Sequence, residues 1–372
     1  MTDDAPVLLH TDGRVRHITL NRPRVLNALD HASVRALDEA LVAAEDDETV
    51  AVVVVSGAGT RGLCAGGDIR ALHDDARAGG TASLDFWRDE YRLNARIHRY
   101  RKPYVACMDG IVMGGGVGIS AHGSVRIVTE RSRVAMPETA IGFVPDVGGT
   151  YLLSRAPGEL GTHLALTGRS VGAADALLCG LADHHVLSGD LPALTAALAG
   201  CTTPADVARA VRGHATAPEA GELDAARAWI DNCYTADTVG DIVDRLRDHG
   251  APAAKETAAT LLTLSPTALA VTLAAVRRAR AAGSLEESLD QDFRVSTRAF
   301  AHPDFVEGVR ARIVDKDYAP RWVPARTEDV READVARYFA PLGAGELGLA
   351  PGPCAEGGAA RPEDGRNLRN TR

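Results

Sequence analysis

Along the first half of the chain, short apolar runs alternate with stretches of helical periodicity. Arg16-His17-Ile18-Thr19-Leu20 reads as a strand closed by Asn21-Arg22-Pro23. Val34, Leu37, Leu41 and Ala44 recur at helical spacing behind Asp30, whose carboxylate can accept from an unpaired first-turn N–H and so cap the helix. The apolar run over 50–55, stopped by Ser56-Gly57, has the pattern of a parallel strand buried on both faces. Asp68 can cap a further helix beginning at Ile69, and a long amphipathic helix is predicted over 83–100. A strand over 104–108, a Gly-rich turn, an apolar segment over 117–121 and a strand over 125–129 follow. Repeated β-turn-α units with short links predict an α/β core.

From about Asp190 the pattern changes. The stretch to Asp248 is Ala-rich and helical, with turns near Pro204, Gly213 and Pro218. Ser265-Pro266 places a capping hydroxyl before a proline at the first helical position, which predicts a helix to about Arg280. Another helix is expected over 285–301. Beyond Pro351 one leucine stands among Gly, Pro, Arg and acids, too little apolar surface to offset the entropy of ordering, so that tail is predicted to be disordered. The chain thus divides into an α/β core at 1–190 that carries the site, a mainly helical region at 191–349, and a tail at 350–372.

Charge and cysteine usage narrow the function classes. The formal net charge is −9 over 372 residues, with both signs interspersed, which argues against a large nucleic-acid footprint while leaving room for a local phosphate site. No apolar run reaches the length of about 18 residues that a transmembrane helix needs. The opening MTDDAP is acidic, unlike a secretory signal or an Arg-rich transit peptide. Six scattered cysteines without a CxxC pair read as reduced thiols, not as a disulfide frame or zinc site. Twelve histidines show no metal-ligand spacing, so no metal is expected. These features together predict a cytoplasmic protein with no membrane or nucleic-acid partner.

Four local patterns carry candidate chemistry. Cys64-Ala65-Gly66-Gly67-Asp68-Ile69 and Met113-Gly114-Gly115-Gly116-Val117-Gly118 are glycine turns that open helices. Both place backbone N–H groups where negative charge is favoured, and two such donors meeting on one oxygen make an oxyanion hole. Taken alone, each cluster is better explained by a tight turn or close helix packing. Met136-Pro137-Glu138-Thr139 and Pro145-Asp146-Val147-Gly148-Gly149-Thr150 supply two carboxylates that flank a turn. They can share acid, base or nucleophile roles, or serve as a solvated Glu and a helix-capping Asp.

These four patterns, in this order, resemble the enoyl-CoA hydratase/isomerase (crotonase) superfamily. The resemblance implies a spiral of ββα turns followed by a helical region, and an acyl-coenzyme A thioester as substrate. It implies an oxyanion hole from the N–H groups of Ala65 and Gly115, with Gly66, Gly67 and Gly114 lining the substrate. It also implies that the loop around Arg22 and Arg24 touches the coenzyme A nucleotide. Hydratases of the superfamily carry a second glutamate where this chain has Gly118.

Within the superfamily, MDGIVMGGGVGIS, MPETAIGFVPDVGGTYLLSR and PDFVEGVRARIVDKDYAPRW are similar to the 3-hydroxyisobutyryl-CoA hydrolase branch. That similarity implies thioester hydrolysis with Glu138 and Asp146 as the catalytic pair. It also implies that Glu90, in Phe86-Trp87-Arg88-Asp89-Glu90-Tyr91, contacts the hydroxyl end of the acyl group. No cofactor is implied beyond the coenzyme A of the substrate, and a homo-oligomer is left open. Enoyl-CoA hydratase, dienoyl-CoA isomerase and a non-catalytic acyl-CoA binder stand as the alternatives.

Overall fold

The structure is a computed structural model in which residues 5–350 are described. Among the described residues nine strands form two sheets. The larger has the order β1-β2-β3-β5-β7-β9, built from β1 (Val7–Asp12), β2 (Val15–Leu20), β3 (Val52–Gly57), β5 (Tyr104–Met108), β7 (Val125–Val128) and β9 (His184–His185). The smaller has the order β4-β6-β8, from β4 (Gly62–Cys64), β6 (Ile111–Met113) and β8 (Arg133–Ala135). Strands β1 and β2 pair antiparallel, and every other pairing is parallel. Each coil of the chain gives one strand to the large sheet and the next to the small one, which is the ββα spiral expected.

The helix starts follow the sequence signals. Asp30 accepts from Ser33 N at 2.8 Å, Asp68 from Ala71 N at 3.4 Å and Ser265 from Ala268 N at 3.1 Å. The predicted long helices are Ala82–His98, Pro266–Ala281 and Leu285–Phe300. Strand β1 and the three-residue strands β4, β6 and β8 were not anticipated. Three residues are too few to show an alternation, and β1 is separated from β2 only by a turn at Gly13, where φ is +54°.

The larger of two apolar clusters runs from Val7 to Leu347 and takes in one face of the large sheet, the helix Ala82–His98 and the C-terminal helices. On the other face Val15, Val52, Val54, Val105 and Ile127 pack with Leu194, Leu198, Val207 and Val211. Leu285–Phe300 packs on Ala82–His98, Pro266–Ala281 on Gly149–Ser154, and Pro303–Val309 on the 3-10 turn Glu138–Ile141. The closeness of that last contact shows at Gly142 (φ +69°) and Gly308. A Cβ at Gly142 would lie 2.3 Å from Asp304 O, and one at Gly308 would lie 2.4 Å from Ile141 C. Among the described residues no single helix is long and apolar enough to cross a membrane. The tail expected to be disordered, from 351 on, lies outside the described residues.

Candidate active site

Helix Ala82–His98 is amphipathic, yet its buried face carries Glu90, Tyr91 and Asn94 among Phe86, Trp87 and Leu93. Polar groups on a buried face cost free energy unless they are paired. Glu90 is 2% exposed and lies inside the protein, not on the helix surface. Its Oε1 and both amide atoms of Asn94 have no hydrogen-bond partner among the described residues.

Glu138 opens the 3-10 turn after β8, and Asp146 follows on the loop beyond Gly142. Both are buried. Glu138 Oε2 is also unpartnered, whereas Asp146 Oδ2 accepts from the Tyr91 hydroxyl at 2.6 Å. Asp146 is therefore not a helix cap. The following helix starts at Gly149 behind Gly148, and the Asp146 side chain turns inward.

The glycine turns bring these acids together. A Cβ at Gly114 would lie 2.8 Å from Glu138 Oε1, and a Cβ at Gly115 2.5 Å from Glu90 Oε1. The same Gly115 position is 3.5 Å from Gly67 N, and a Cβ at Gly66 would be 3.4 Å from Gly115 N. Thus Glu90, Glu138, Gly66, Gly67, Gly114 and Gly115 form one cluster.

Burial is the largest cause of every pKa shift in this cluster. It raises Glu90 well above the ordinary carboxyl range, and the Asp146 and Glu138 charges add to the effect. Glu138 is raised by burial and then by Asp146. Asp146 is pushed up to about 7 by burial, against the lowering effect of the Tyr91 hydrogen bond. Three carboxyls sharing one dry pocket cannot all ionise near neutrality. Such perturbed acids, gathered in one place, mark a reactive centre.

Two expectations are corrected by the geometry. The Ala65 N–H donates to Leu26 O at 3.0 Å, so that donor is already spent. Gly67 N and Gly115 N carry no hydrogen bond among the described residues, and they are the neighbouring pair. The sequence pattern does not show which N–H of the turn is already bonded. Arg22 is likewise committed, with Nη1 on Ala28 O at 2.6 Å and Nη2 on Asp68 at 3.1 Å. Only Arg24 of the two arginines is exposed.

The loop after Asp146 is held under strain. Val147 has φ +51°, rare for a β-branched residue. His122 Nε2 lies 2.8 Å from its carbonyl. Burial pushes that imidazole down to about 4, so it is neutral and donates from Nε2. Asp292, from helix Leu285–Phe300, accepts from Gly148 N at 2.9 Å and from the Thr150 hydroxyl at 2.8 Å.

Tyr91, Asn94, His122, Asp292 and Ser296 escaped the sequence reading. The available signal was polar residues one helical turn apart on an otherwise apolar face, as with Glu90 and Asn94. At Gly118, a Cβ would meet Val147 Cβ at 2.7 Å and Asn94 Nδ2 at 2.9 Å. The room a second acid would need there is already filled.

A cavity of about 1000 Å³ lies elsewhere, between helices Val239–Asp248 and Pro266–Ala281 and the turn Thr327–Asp329. None of the three acids lines it. Among the described residues no group of three His, Cys, Asp or Glu could hold a metal ion.

The family model for enoyl-CoA hydratase/isomerase matches residues 15–339. The mitochondrial 3-hydroxyisobutyryl-CoA hydrolase of Gallus gallus is 41% identical, with 93% of this chain and 91% of the relative covered. A carnitinyl-CoA dehydratase structure from Mycobacterium thermoresistibile is 51% identical, covers 93% of this chain and 99% of its own, and has a TM-score of 0.89. An enoyl-CoA hydratase structure from Rhodobacter sphaeroides 2.4.1 is 44% identical, covers 92% and 99%, and has a TM-score of 0.84. The expectation of a cytoplasmic protein is overturned by the curated relatives, which are named as mitochondrial hydrolases. Its premises were weak in kind: reduced thiols suit any reducing compartment, and the folded core does not encode an address.

Proposed function

This chain belongs to the enoyl-CoA hydratase/isomerase family, and from that premise we propose that it hydrolyses 3-hydroxyisobutyryl-CoA to 3-hydroxyisobutyrate and coenzyme A. The observation that carries this reading is the acid set. Glu138 and Asp146 are buried together, and the position of a hydratase's second glutamate is Gly118, packed against Val147 and Asn94. Water addition across a double bond needs two acids that orient water and deliver a proton. Thioester cleavage needs a polarised carbonyl, an activated oxygen and a leaving thiolate, which this set can serve. That distinction weighs more than the similarity to a carnitinyl-CoA dehydratase and an enoyl-CoA hydratase structure, because it concerns the reacting groups themselves.

In this mechanism the thioester oxygen sits between Gly67 N and Gly115 N. Preorganised donors of this kind stabilise the charge that develops on the oxygen. Glu138 either attacks the carbonyl carbon, giving a mixed anhydride, or takes a proton from water. Asp146 carries the proton that moves, and Glu90 meets the hydroxyl end of the acyl group. Arg24 is the candidate for the coenzyme A phosphates. The product suits valine breakdown, and 3-hydroxypropionyl-CoA is the expected second substrate. No metal or cofactor takes part.

The test compares two assays on one preparation: thiol release from 3-hydroxyisobutyryl-CoA and hydration of crotonyl-CoA. Thiol release should dominate and survive EDTA. Faster hydration would overturn the assignment.

A further inference from the structure

Of the three buried carboxyls, Asp146 alone has a side-chain donor among the described residues. Tyr91 Oη lies 2.6 Å from Asp146 Oδ2 and 2.8 Å from Ser296 Oγ. A phenol has one proton, so Tyr91 donates to Asp146 and accepts from the Ser296 hydroxyl. Burial, followed by the nearby Asp146, raises the Tyr91 phenol far above its ordinary range and keeps it a donor. Glu90 Oε1 and Glu138 Oε2 have no such partner. The donor chain is anchored on helix Leu285–Phe300. One turn before Ser296 on that helix, Asp292 fastens the Gly148 and Thr150 end of the Asp146 loop. The side chain and the backbone that follows it are thus gripped from the same face of one helix.

We infer that Tyr91 and Ser296 are positioning residues that keep Asp146 the ionised member of the three-acid cluster, ready to receive the proton that Glu138 must lose before it can act. This rests on the reading of Glu138 and Asp146 as the reacting pair. When acids share a pocket, charge settles on the one that donors address. The titratable groups facing Asp146 are Glu90 and Tyr91 from helix Ala82–His98, Glu138 from the 3-10 turn, and Asp292 from helix Leu285–Phe300. His122, beside the loop, bonds Val147 O as a neutral ring. Asp292 is itself raised, chiefly by burial, so no cation among these groups competes with Tyr91 for the role.

The proton count closes. At rest Glu138 is protonated and Asp146 is charged. Proton transfer reverses this, and the Glu138 carboxylate attacks the thioester carbon. As the C–O bond forms, the C–S bond breaks, and Asp146 returns its proton to the coenzyme A thiolate; water then opens the mixed anhydride, breaking its C–O bond, releasing the product acid and restoring protonated Glu138. On the base-catalysed route the freed Glu138 carboxylate takes its proton from water instead, and Asp146 protonates the same thiolate.

The experiment records the pH dependence of kcat/KM for wild type, Tyr91→Phe and Ser296→Ala. Activity rises through the Asp146 ionisation, so losing its donor should move the acid limb to higher pH. A hydrogen bond to a charged group sets an expected shift of about one to two pH units for Tyr91→Phe, with a smaller shift in the same direction for Ser296→Ala. KM should stay near the wild-type value while kcat at neutral pH falls. Infrared titration of the protonated-carboxyl band in substrate-free protein should give the same order without any turnover. Activity lost equally at every pH, with the carboxyl titration unmoved, would overturn the inference. If Tyr91→Phe does not fold, Ser296→Ala carries the test by the same two readouts. If wild type cleaves no acyl-CoA thioester, the functional reading fails, and the infrared titration still decides the positioning.

Discussion

Replacing Gly118 tests the separation of this site from a hydratase. A Cβ at 118 would stand 2.7 Å from Val147 Cβ and 2.9 Å from Asn94 Nδ2, more than half an ångström inside the 3.5–4.0 Å optimum between carbons. Val147 has little freedom to retreat. Its φ is already +51°, and its carbonyl is held by His122. Overpacking of this kind costs about 1–3 kcal/mol, so Gly118→Ala should lower Tm by several degrees at roughly 2–4 °C per kcal/mol. Gly118→Glu adds a carboxyl to a pocket that already holds Glu90, Glu138 and Asp146, and its charge would oppose ionisation of all three. Scanning calorimetry on both variants, with thiol release from 3-hydroxyisobutyryl-CoA and hydration of crotonyl-CoA, reads out each part. Both variants should lose hydrolysis, Gly118→Glu more, and neither should gain substantial hydration. Gly118→Glu with full hydrolysis and an unchanged Tm would refute the reasoning, because residue 118 would then not face Val147 and Asn94.

Glu138→Gln keeps the shape but not the charge, and should reduce turnover by about 10²–10⁴-fold, measured as single-turnover thiol release. Asp146 is held near 7 in the folded chain, above its unfolded value, so its stabilising contribution is full below the unfolded pKa and is lost as pH rises through 7. Asp146→Asn should therefore flatten the fall of Tm between pH 5 and 8, and an unaltered slope would count against the shift. A single turnover of excess enzyme in ¹⁸O-labelled water, followed by peptide mass spectrometry, separates the two routes. Label in the Glu138 carboxylate establishes an anhydride opened on the enzyme side.

The helix starts were legible because Asp30, Asp68 and Ser265 announce them through local chemistry. The acids were legible because Glu138 and Asp146 sit in short motifs that the superfamily shares. What the sequence hid is the product of long-range contacts. Tyr91 and Ser296 are 205 residues apart yet bonded, and no periodicity reveals such a pair. The choice between Ala65 and Gly67 as a candidate donor turns on Leu26 O, which captures the Ala65 N–H, and no local pattern shows that contact. The strands β4, β6 and β8 are set by pairing with one another, not by any pattern of their own.

The dependence of both acids on late segments also has a consequence in time. Glu138 and Asp146 leave the ribosome long before their supports do: Asp292 at the Asp146 loop, Ser296 behind Tyr91, and Asp304 and Arg312 at the Glu138 turn, where Arg312 Nε reaches Ala140 O at 3.1 Å. At synthesis rates of about 5–20 residues per second, that interval is roughly 7–35 s. Through it the nascent chain holds the reacting groups without the helices that aim them. Activity on an emerging polypeptide should therefore switch on only after residues 285–312 have emerged, and a ribosome stalled short of residue 285 should display an inert precursor.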